Sequence, residues 1–181
     1  MNSIKKQILF LLVLIVSYSC TSELDLNQAN DLKAEPVFVT NFAYFNVPAA
    51  NFVTNGVENT INLDSPTVTV FDSSFFEKNL NRVDLFYEFN NTTSRAFTVE
   101  VSFKDLSGNV LHSILTNVPA YTGTTNIVNG TEIFLNTDLD ILRSTQTMTF
   151  SVVLEPGTLL TETSTGTLKL RSSVTAYIVQ Q

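Results

Sequence analysis

A strict alternation of apolar and polar side chains in the middle of the chain constrains the fold more than any other feature. Within residues 83–89 and again within residues 97–103, every second residue is apolar: Val83, Leu85, Tyr87 and Phe89, then Phe97, Val99, Val101 and Phe103. Successive side chains of a β-strand point to opposite faces, so this period predicts two strands with one buried and one solvated face.

The loops of this region predict how the strands connect. Residues 91–94 (Asn-Thr-Thr-Ser) have turn composition, which predicts a hairpin between these two strands. Residues 105–109 form the next turn, where Gly108 supplies a positive φ, and residues 110–115 would be the third strand of a meander.

Further strands are expected on both sides of this region. Residues 37–47 are apolar on both parities, which indicates a strand covered on two sides or bent by a bulge. In residues 124–135 we expect Ile127 and Ile133 in the core, and residues 138–143 predict one helical turn with Leu139 and Leu142 inward. The other expected apolar positions are Ile61, Leu63, Val68, Val70, Met148, Phe150, Val152, Leu154, Leu168, Leu170, Val174, Ala176 and Ile178.

These elements predict an all-β fold. About eight short strands without long helical crossovers favour antiparallel pairing, because parallel strands need such crossovers. The expected architecture is a single antiparallel β-sandwich, Ig-like or jelly-roll-like, over residues 37–181. A closed barrel is the alternative architecture.

The first 19 residues have the organisation of an export signal. Lys5 and Lys6 precede nine consecutive apolar residues, 8–16, which would make a helix of about 14 Å. A bilayer core is about 30 Å thick, so the segment is too short to span and has the size of a cleavable signal. The alternative is a buried N-terminal strand of the domain.

Residues 17–20 (Ser-Tyr-Ser-Cys) resemble a lipobox, the cleavage and lipidation motif of bacterial lipoproteins. The resemblance implies cleavage between Ser19 and Cys20, and a diacylglycerol and palmitate anchor on Cys20, the only cysteine. An ordinary signal peptidase site that leaves a free Cys20 thiol is the alternative. A lone exported cysteine has no disulfide partner within the chain, and lipidation would explain its presence.

The residues after Cys20 suggest to which membrane surface the lipoprotein is exported. Ser22, Glu23 and Asp25 resemble the surface-export signal of Bacteroidota lipoproteins, which implies the outer membrane and the cell surface. A plain polar tether over residues 20–36, with the protein in the periplasmic leaflet, is the alternative.

Removal of the signal leaves eight basic and 17 acidic residues, a net charge of −9. Such acidity argues against nucleic-acid binding.

The chain lacks the clusters that catalysis and metal binding need. His112 is the only histidine and has no second nucleophile or base in its sequence neighbourhood. Residues 136–140 resemble the start of a calcium loop, but the glycine and closing glutamate are missing, which favours helix capping by Asp138. Glu88 and Glu100 could face each other across the predicted hairpin, where solvated acids are the simpler interpretation. We therefore predict no catalytic residues, no metal and no cofactor.

Three phenylalanines remain as candidates for a partner surface: Phe75, Phe76 and Phe86. Phe86 is the one apolar residue on the otherwise polar side of its strand, and exposed apolar patches mark partner surfaces. The sequence thus favours a non-enzymatic, lipid-anchored accessory subunit of an outer-membrane assembly, with an envelope protein as partner. A surface glycan- or nutrient-binding lipoprotein is the alternative function.

Overall fold

A computed structural model describes residues 35–64, 78–124 and 126–179. Several predicted features lie outside these residues: the signal, the tether up to residue 34, Cys20 with its flanking motif, and the strand expected after Pro66. The described strands are β1 (Val37–Pro48), β2 (Val53–Thr54), β3 (Val57–Glu58), β4 (Ile61–Asp64), β5 (Leu80–Asn91), β6 (Phe97–Lys104), β7 (Val110–Val118), β8 (Ile127–Leu135), β9 (Thr147–Leu154) and β10 (Thr167–Ile178). Helix α1 is Leu139–Ser144, and Ala49–Phe52 and Asn136–Asp138 are 3-10 turns.

Eight of the strands form two antiparallel sheets that pack on a shared core. The first sheet has the order β1-β10-β5-β8 and the second has the order β4-β9-β6-β7, while β2 and β3 form a separate two-stranded ribbon. Numbered from one to eight along the chain, the large strands pair 1 with 8, 2 with 7, 3 with 6 and 4 with 5. This nesting of pairs is a jelly roll. The predicted antiparallel sandwich is confirmed, in its jelly-roll form.

The alternation of the sequence places the core as expected. The predicted inward residues of β6, β9 and β10 are buried, except Leu154, which is half-buried. Phenylalanines join the two sheets: Phe45 of β1 lies edge-on to Phe150 of β9, with ring centroids 5.9 Å apart. Full burial of such a side chain stabilises the fold by about 1.5–3 kcal/mol.

The predicted hairpin between β5 and β6 is wrong. β5 pairs with β10 and β8, whereas β6 pairs with β7 and β9, so residues 92–96 cross from the first sheet to the second. The alternation fixes which face of each strand is buried, but it does not fix the neighbour. The β6–β7 hairpin was predicted correctly, and its turn is closed by Gly108 at φ +82°. In this turn, hydrogen bonds led by that of the Asn109 side chain lower the pKa of Asp105.

The predicted core positions of β8 are also wrong. Ile127 and Ile133 are each 45% exposed, and the inward side of β8 carries Phe134, at 1% exposure, and the half-buried Val128. The register explains the error, because the inward positions also include Gly130 and Glu132. Tyr87 lies against Gly130, where an added Cβ would come within 2.5 Å of the ring carbon Cζ.

Strand β1 contains the bulge that its two-sided apolar pattern indicated. Its register with β10 shifts between Asn41 and Tyr44. The inward Ser172 hydroxyl accepts a hydrogen bond from Ala43 N at 2.8 Å and donates one to Ala43 O at 3.0 Å. The bulge is therefore satisfied by a side chain of the neighbouring strand.

Gly166 and Gly123 allow a matched test of loop packing at the end of the roll. Both have φ +95°, but a Cβ at Gly166 would lie 2.6 Å from the Thr92 carbonyl carbon, whereas nothing lies within 4 Å at Gly123. We predict that Gly123→Ala costs about 1 kcal/mol of unfolding free energy from backbone strain. Gly166→Ala should cost about 2 kcal/mol more, because it forces backbone atoms apart. Urea denaturation measures both values, and equal losses would contradict this packing.

Candidate functional site

The described part of the chain contains one of the three predicted partner-surface residues. Phe75 and Phe76 lie outside it, as do Ser19, Cys20, Ser22, Glu23 and Asp25. Phe86 lies on the outer face of the first sheet, between Ser173 of β10 and Thr131 of β8, and is half-buried. The structure thus places Phe86 on the side of β5 that faces away from the core.

Around Phe86 the outer face of the first sheet carries a set of exposed apolar side chains. The strand register brings residues from β1 and β8 to the two sides of β10 and β5. Val39 and Tyr44 are 69% and 71% exposed, and Ile133 is 45% exposed. The other exposed apolar residues of this face are Val37, Ile127 and Leu135. We call this set, with Phe86 and the half-buried Tyr177, the apolar face.

A charged network lies within the apolar face. Arg82 donates two hydrogen bonds to Asp84, from Nε to Oδ1 at 2.6 Å and from Nη2 to Oδ2 at 2.9 Å. The Tyr177 hydroxyl lies 3.3 Å from Asp84 Oδ2, and the Arg82 guanidinium lies 5.2 Å from the centroid of the Tyr177 ring. The hydrogen bond to Asp84 raises the pKa of Arg82. Arginine and tyrosine are both enriched in protein interfaces.

A shallow groove of about 310 Å³ continues the apolar face toward the other end of the sheet. Tyr44 forms one side of it, and Lys169 and Arg171 line its floor together with Glu88. Arg171 is 71% exposed and contacts Glu88 at 2.7 Å between Nε and Oε1. The hydrogen bond to Glu88 raises the pKa of Arg171.

The outer face of the second sheet has a different chemistry. Its two central strands present Thr98, Glu100, Ser102, Thr149 and Ser151, and Asn62 and Asp64 extend it on β4. The Ser113 hydroxyl donates to Glu100 Oε1 at 2.9 Å. Glu88 and Glu100, which were expected to face each other, lie on different sheets. This face also exposes Leu115 and Val153, at 66% and 42%, so the two outer faces differ in how many apolar side chains they expose: fewer here than the six on the first sheet.

His112 closes the edge of the sandwich between β7 and β8. Its Nε2 lies 2.9 Å from Glu132 Oε1, and its ring packs 5.7 Å from the rings of both Phe103 and Phe134. Glu132 was not singled out in the sequence, because only the register shows that it points inward. This pair joins the second sheet to the first.

The calcium-like segment forms the start of a short helix. Leu139 and Leu142 are buried as expected, but the Asp138 side chain makes no capping hydrogen bond. Asp140 is exposed and pairs with Arg143 at 2.7 Å. Within the described ranges, no group of three or more His, Cys, Asp or Glu side chains is placed to hold a metal. The same residues include no helix with the length and hydropathy to cross a bilayer.

A buried polar network organises the end of the roll where β5 crosses to β6. Asn91 and Thr93 are fully buried; the Asn91 amide donates to Arg95 O and Pro119 O, each at 2.7 Å. Thr93 N and the Thr93 hydroxyl both donate to Asn91 Oδ1, at 2.9 and 2.8 Å. We call Asn91, Thr93, Arg95 and Glu58 the arch network.

Arg95 extends the arch network to two further loops. At 6% exposure, it donates to Thr158 O at 2.7 Å and to Glu58 Oε2 at 3.0 Å. Glu58 in turn accepts a hydrogen bond from Leu160 N at 2.7 Å. Sequence reasoning missed this network because Glu58 is 37 residues from Arg95 and 102 residues from Leu160, and no local pattern joins them.

Above the arch network lies a cleft of about 480 Å³. Three loops meet there, and all seven lining side chains carry a hydroxyl: Thr92, Ser94, Tyr121, Thr161, Thr163, Ser164 and Thr165. Tyr121 is 40% exposed, and its backbone N–H donates to Thr93 O at 2.8 Å. We call this the hydroxyl cleft.

Comparisons with known proteins find similarity only at the level of structure. No protein family matches the chain, and no curated protein matches it significantly. Two structures of infectious bursal disease virus particles, the T13 particle and the VP2 subviral particle, are 16% and 13% identical, with TM-scores of 0.40 and 0.39. The match covers 80% and 81% of this chain but only 31% and 38% of those chains.

A virus-like particle of a Macrobrachium rosenbergii nodavirus is 10% identical, with a TM-score of 0.35, over 83% of this chain and 86% of the capsid chain. The jelly roll described above is assigned from the strand order of our chain alone, and not from these viral structures.

The arch network yields a prediction about stability. Arg95→Met should cost about 3 kcal/mol of unfolding free energy, because it removes the cationic partner of the Glu58 carboxylate, which is 18% exposed. Asp140→Asn, at the 68% exposed carboxylate of the Arg143 pair, is the control and should cost about 1 kcal/mol or less. Urea denaturation of the two variants measures the difference. Equal costs would show that Arg95 does not organise this end of the roll.

Proposed function

We propose that this protein is a non-catalytic, lipid-anchored subunit of an outer-membrane assembly and that it binds a partner protein through the apolar face. The difference between the two outer faces of the sandwich carries the proposal. The outer face of the second sheet is mostly Thr, Ser, Asp and Glu, with Leu115 and Val153 exposed among them. The outer face of the first sheet exposes six aliphatic and aromatic side chains along its edge strands, on either side of an arginine–aspartate pair. Exposed apolar side chains along both edges of one sheet support a protein-binding role.

The charges on the apolar face support a particular kind of partner. The chain is acidic overall, with 17 acidic and ten basic residues, yet this face carries Arg82, Lys169 and Arg171 against Asp84 and Glu88. Among the described residues Lys169 contacts no carboxylate, and Arg171 is largely exposed. The expected partner is therefore a protein surface that places carboxylates against the central strands β10 and β5 and apolar side chains against the edge strands β1 and β8.

The export signal supports the location of this subunit. A single acyl chain gives only marginal membrane binding, but the two or three chains implied by a lipobox at Cys20 would hold the protein permanently. A lipidated Cys20 leaves the sandwich itself free to be water-soluble. The partner would then be an envelope protein that meets the apolar face beside the membrane.

Site-specific crosslinking in living cells tests the proposed surface. A photoreactive amino acid at Val39, 69% exposed on the apolar face, should crosslink to one defined protein. The same amino acid at Leu115, 66% exposed on the outer face of the second sheet, is the matched control and should give no such product. Val39→Lys should abolish the product at a second probe site on the opposite edge of the same face, Ile133, because a charge is then buried at the interface. Equal crosslinking from Val39 and Leu115, or none from either, would contradict the proposal.

Substitution of Cys20 tests the anchor. Cys20→Ala should move the protein from the detergent phase to the aqueous phase in phase partitioning, because no acyl chains remain to be buried. Mass spectrometry of the wild-type N-terminal peptide should show an acylated Cys20. Alanine at Ser22, Glu23 and Asp25 together is the control: it should keep the anchor and change only the accessibility of the protein to protease added to intact cells. A wild-type chain with a bare thiol would refute the anchor.

A further inference from the structure

The hydroxyl cleft has the dimensions of a ligand site and an unusual lining. Its volume of about 480 Å³ lies within the range of small-molecule pockets. Six of its lining residues are serine or threonine, and the seventh is Tyr121. No lining side chain is charged, and Glu162 of the same loop is directed elsewhere, since its Oε1 accepts a hydrogen bond from Gly56 N.

Some of the hydroxyls serve the fold and others have no partner. The Thr92 hydroxyl accepts a hydrogen bond from Thr167 N at 2.8 Å. The Thr161 hydroxyl lies 3.1 Å from that of Thr163 and 3.3 Å from that of Ser164. In the part of the chain that the structure describes, the hydroxyls of Ser94, Thr165 and Tyr121 make no hydrogen bond within the protein. The cleft thus presents three unpaired hydroxyls beside a partly exposed aromatic ring.

The floor of the cleft is held in place before any ligand binds. Thr93, directly between the lining residues Thr92 and Ser94, is part of the arch network, and its carbonyl oxygen holds the Tyr121 backbone. Gly166 packs against the backbone of Thr92 and Thr93 from the other side. A site supported by buried hydrogen bonds loses little conformational entropy when a ligand binds.

We infer that the hydroxyl cleft binds a neutral saccharide, at a site separate from the apolar face. A sugar ring offers vicinal hydroxyls that can pair with Ser94, Thr165 and the Tyr121 hydroxyl, and an apolar C–H face that can pack on the Tyr121 ring. A phosphate or carboxylate ligand would find no cation among the lining residues. A lipid chain would leave the lining hydroxyls without partners.

The position of the cleft in the domain is consistent with capture of a ligand from solution. The chain enters the domain at Pro36, whose carbonyl oxygen accepts a hydrogen bond from Ile178 N at the end of β10. Thr167, at the start of β10, contacts the cleft residue Thr92. Strand β10 is 12 residues long, so about 36 Å of strand separates the cleft from the point of chain entry.

Saturation-transfer NMR on the full chain, purified in a detergent without a sugar headgroup, tests this inference. The probes are maltotriose, cellotriose, xylotriose and mannotriose, with trigalacturonate as the charged counterpart. We expect at least one neutral trisaccharide to receive saturation and trigalacturonate to receive none. Tyr121→Ala should weaken binding about tenfold, since an aromatic contact of about 1.4 kcal/mol is lost. Tyr121→Phe should keep part of the affinity.

Tyr44→Ala is the matched control. Tyr44 is more exposed than Tyr121, at 71% against 40%, but lies in the groove of the apolar face. The Tyr44→Ala variant should bind the trisaccharide as the wild type does. Equal loss in the two alanine variants, equal binding of trigalacturonate, or no binding of any neutral probe would overturn the inference. None of these outcomes bears on crosslinking from Val39, so the two proposals fail independently.

Discussion

The hydrogen bonds of the buried Asn91 side chain determine how this chain is arranged at one end of the roll. The Asn91 carboxamide holds Arg95 and Pro119 through its nitrogen and Thr93 through its oxygen, all within 2.9 Å. These bonds satisfy the backbone of the crossing segment inside the protein, where an unpaired polar group would cost about 1–3 kcal/mol. The segment can therefore cross between the sheets instead of folding back as a hairpin. With the crossing in place, β5 and β6 each become a central strand of a different sheet.

The sequence was sufficient to predict most of the strands and the β6–β7 pair, but not the other strand pairings. Alternation along β6, β9 and β10 identified the buried faces correctly, because a period of two depends only on backbone geometry. Which strands become neighbours depends on contacts between residues far apart in the chain, such as the hydrogen bonds from Arg95 to Glu58 and Thr158. Residue type also misled the prediction at β8, where two isoleucines lie outside and Gly130 and Glu132 lie inside.

The candidate surfaces were predictable to a lesser extent. Phe86 stood out because it breaks the polar side of an alternating strand, and the structure places it on an outer face. Its neighbours Val39 and Ile133 could not be identified from the sequence, since they come from strands about 50 residues away on either side and meet only through the register. The hydroxyl cleft combines three loops in the same way. Serine- and threonine-rich loops are common, so composition gave no signal there.

The central claim is that buried hydrogen bonds of polar side chains hold this end of the roll as rigidly as the hydrophobic core holds the central strands. Hydrogen exchange of the loop amides that bond to the arch network tests this claim most directly. The amides are those of Thr93, Tyr121 and Leu160, which donate to Asn91 Oδ1, Thr93 O and Glu58 Oε1. The account predicts that all three exchange as slowly as amides in the central strands β5 and β6. Exchange as fast as that of Leu106, 88% exposed in the β6–β7 turn, would contradict it.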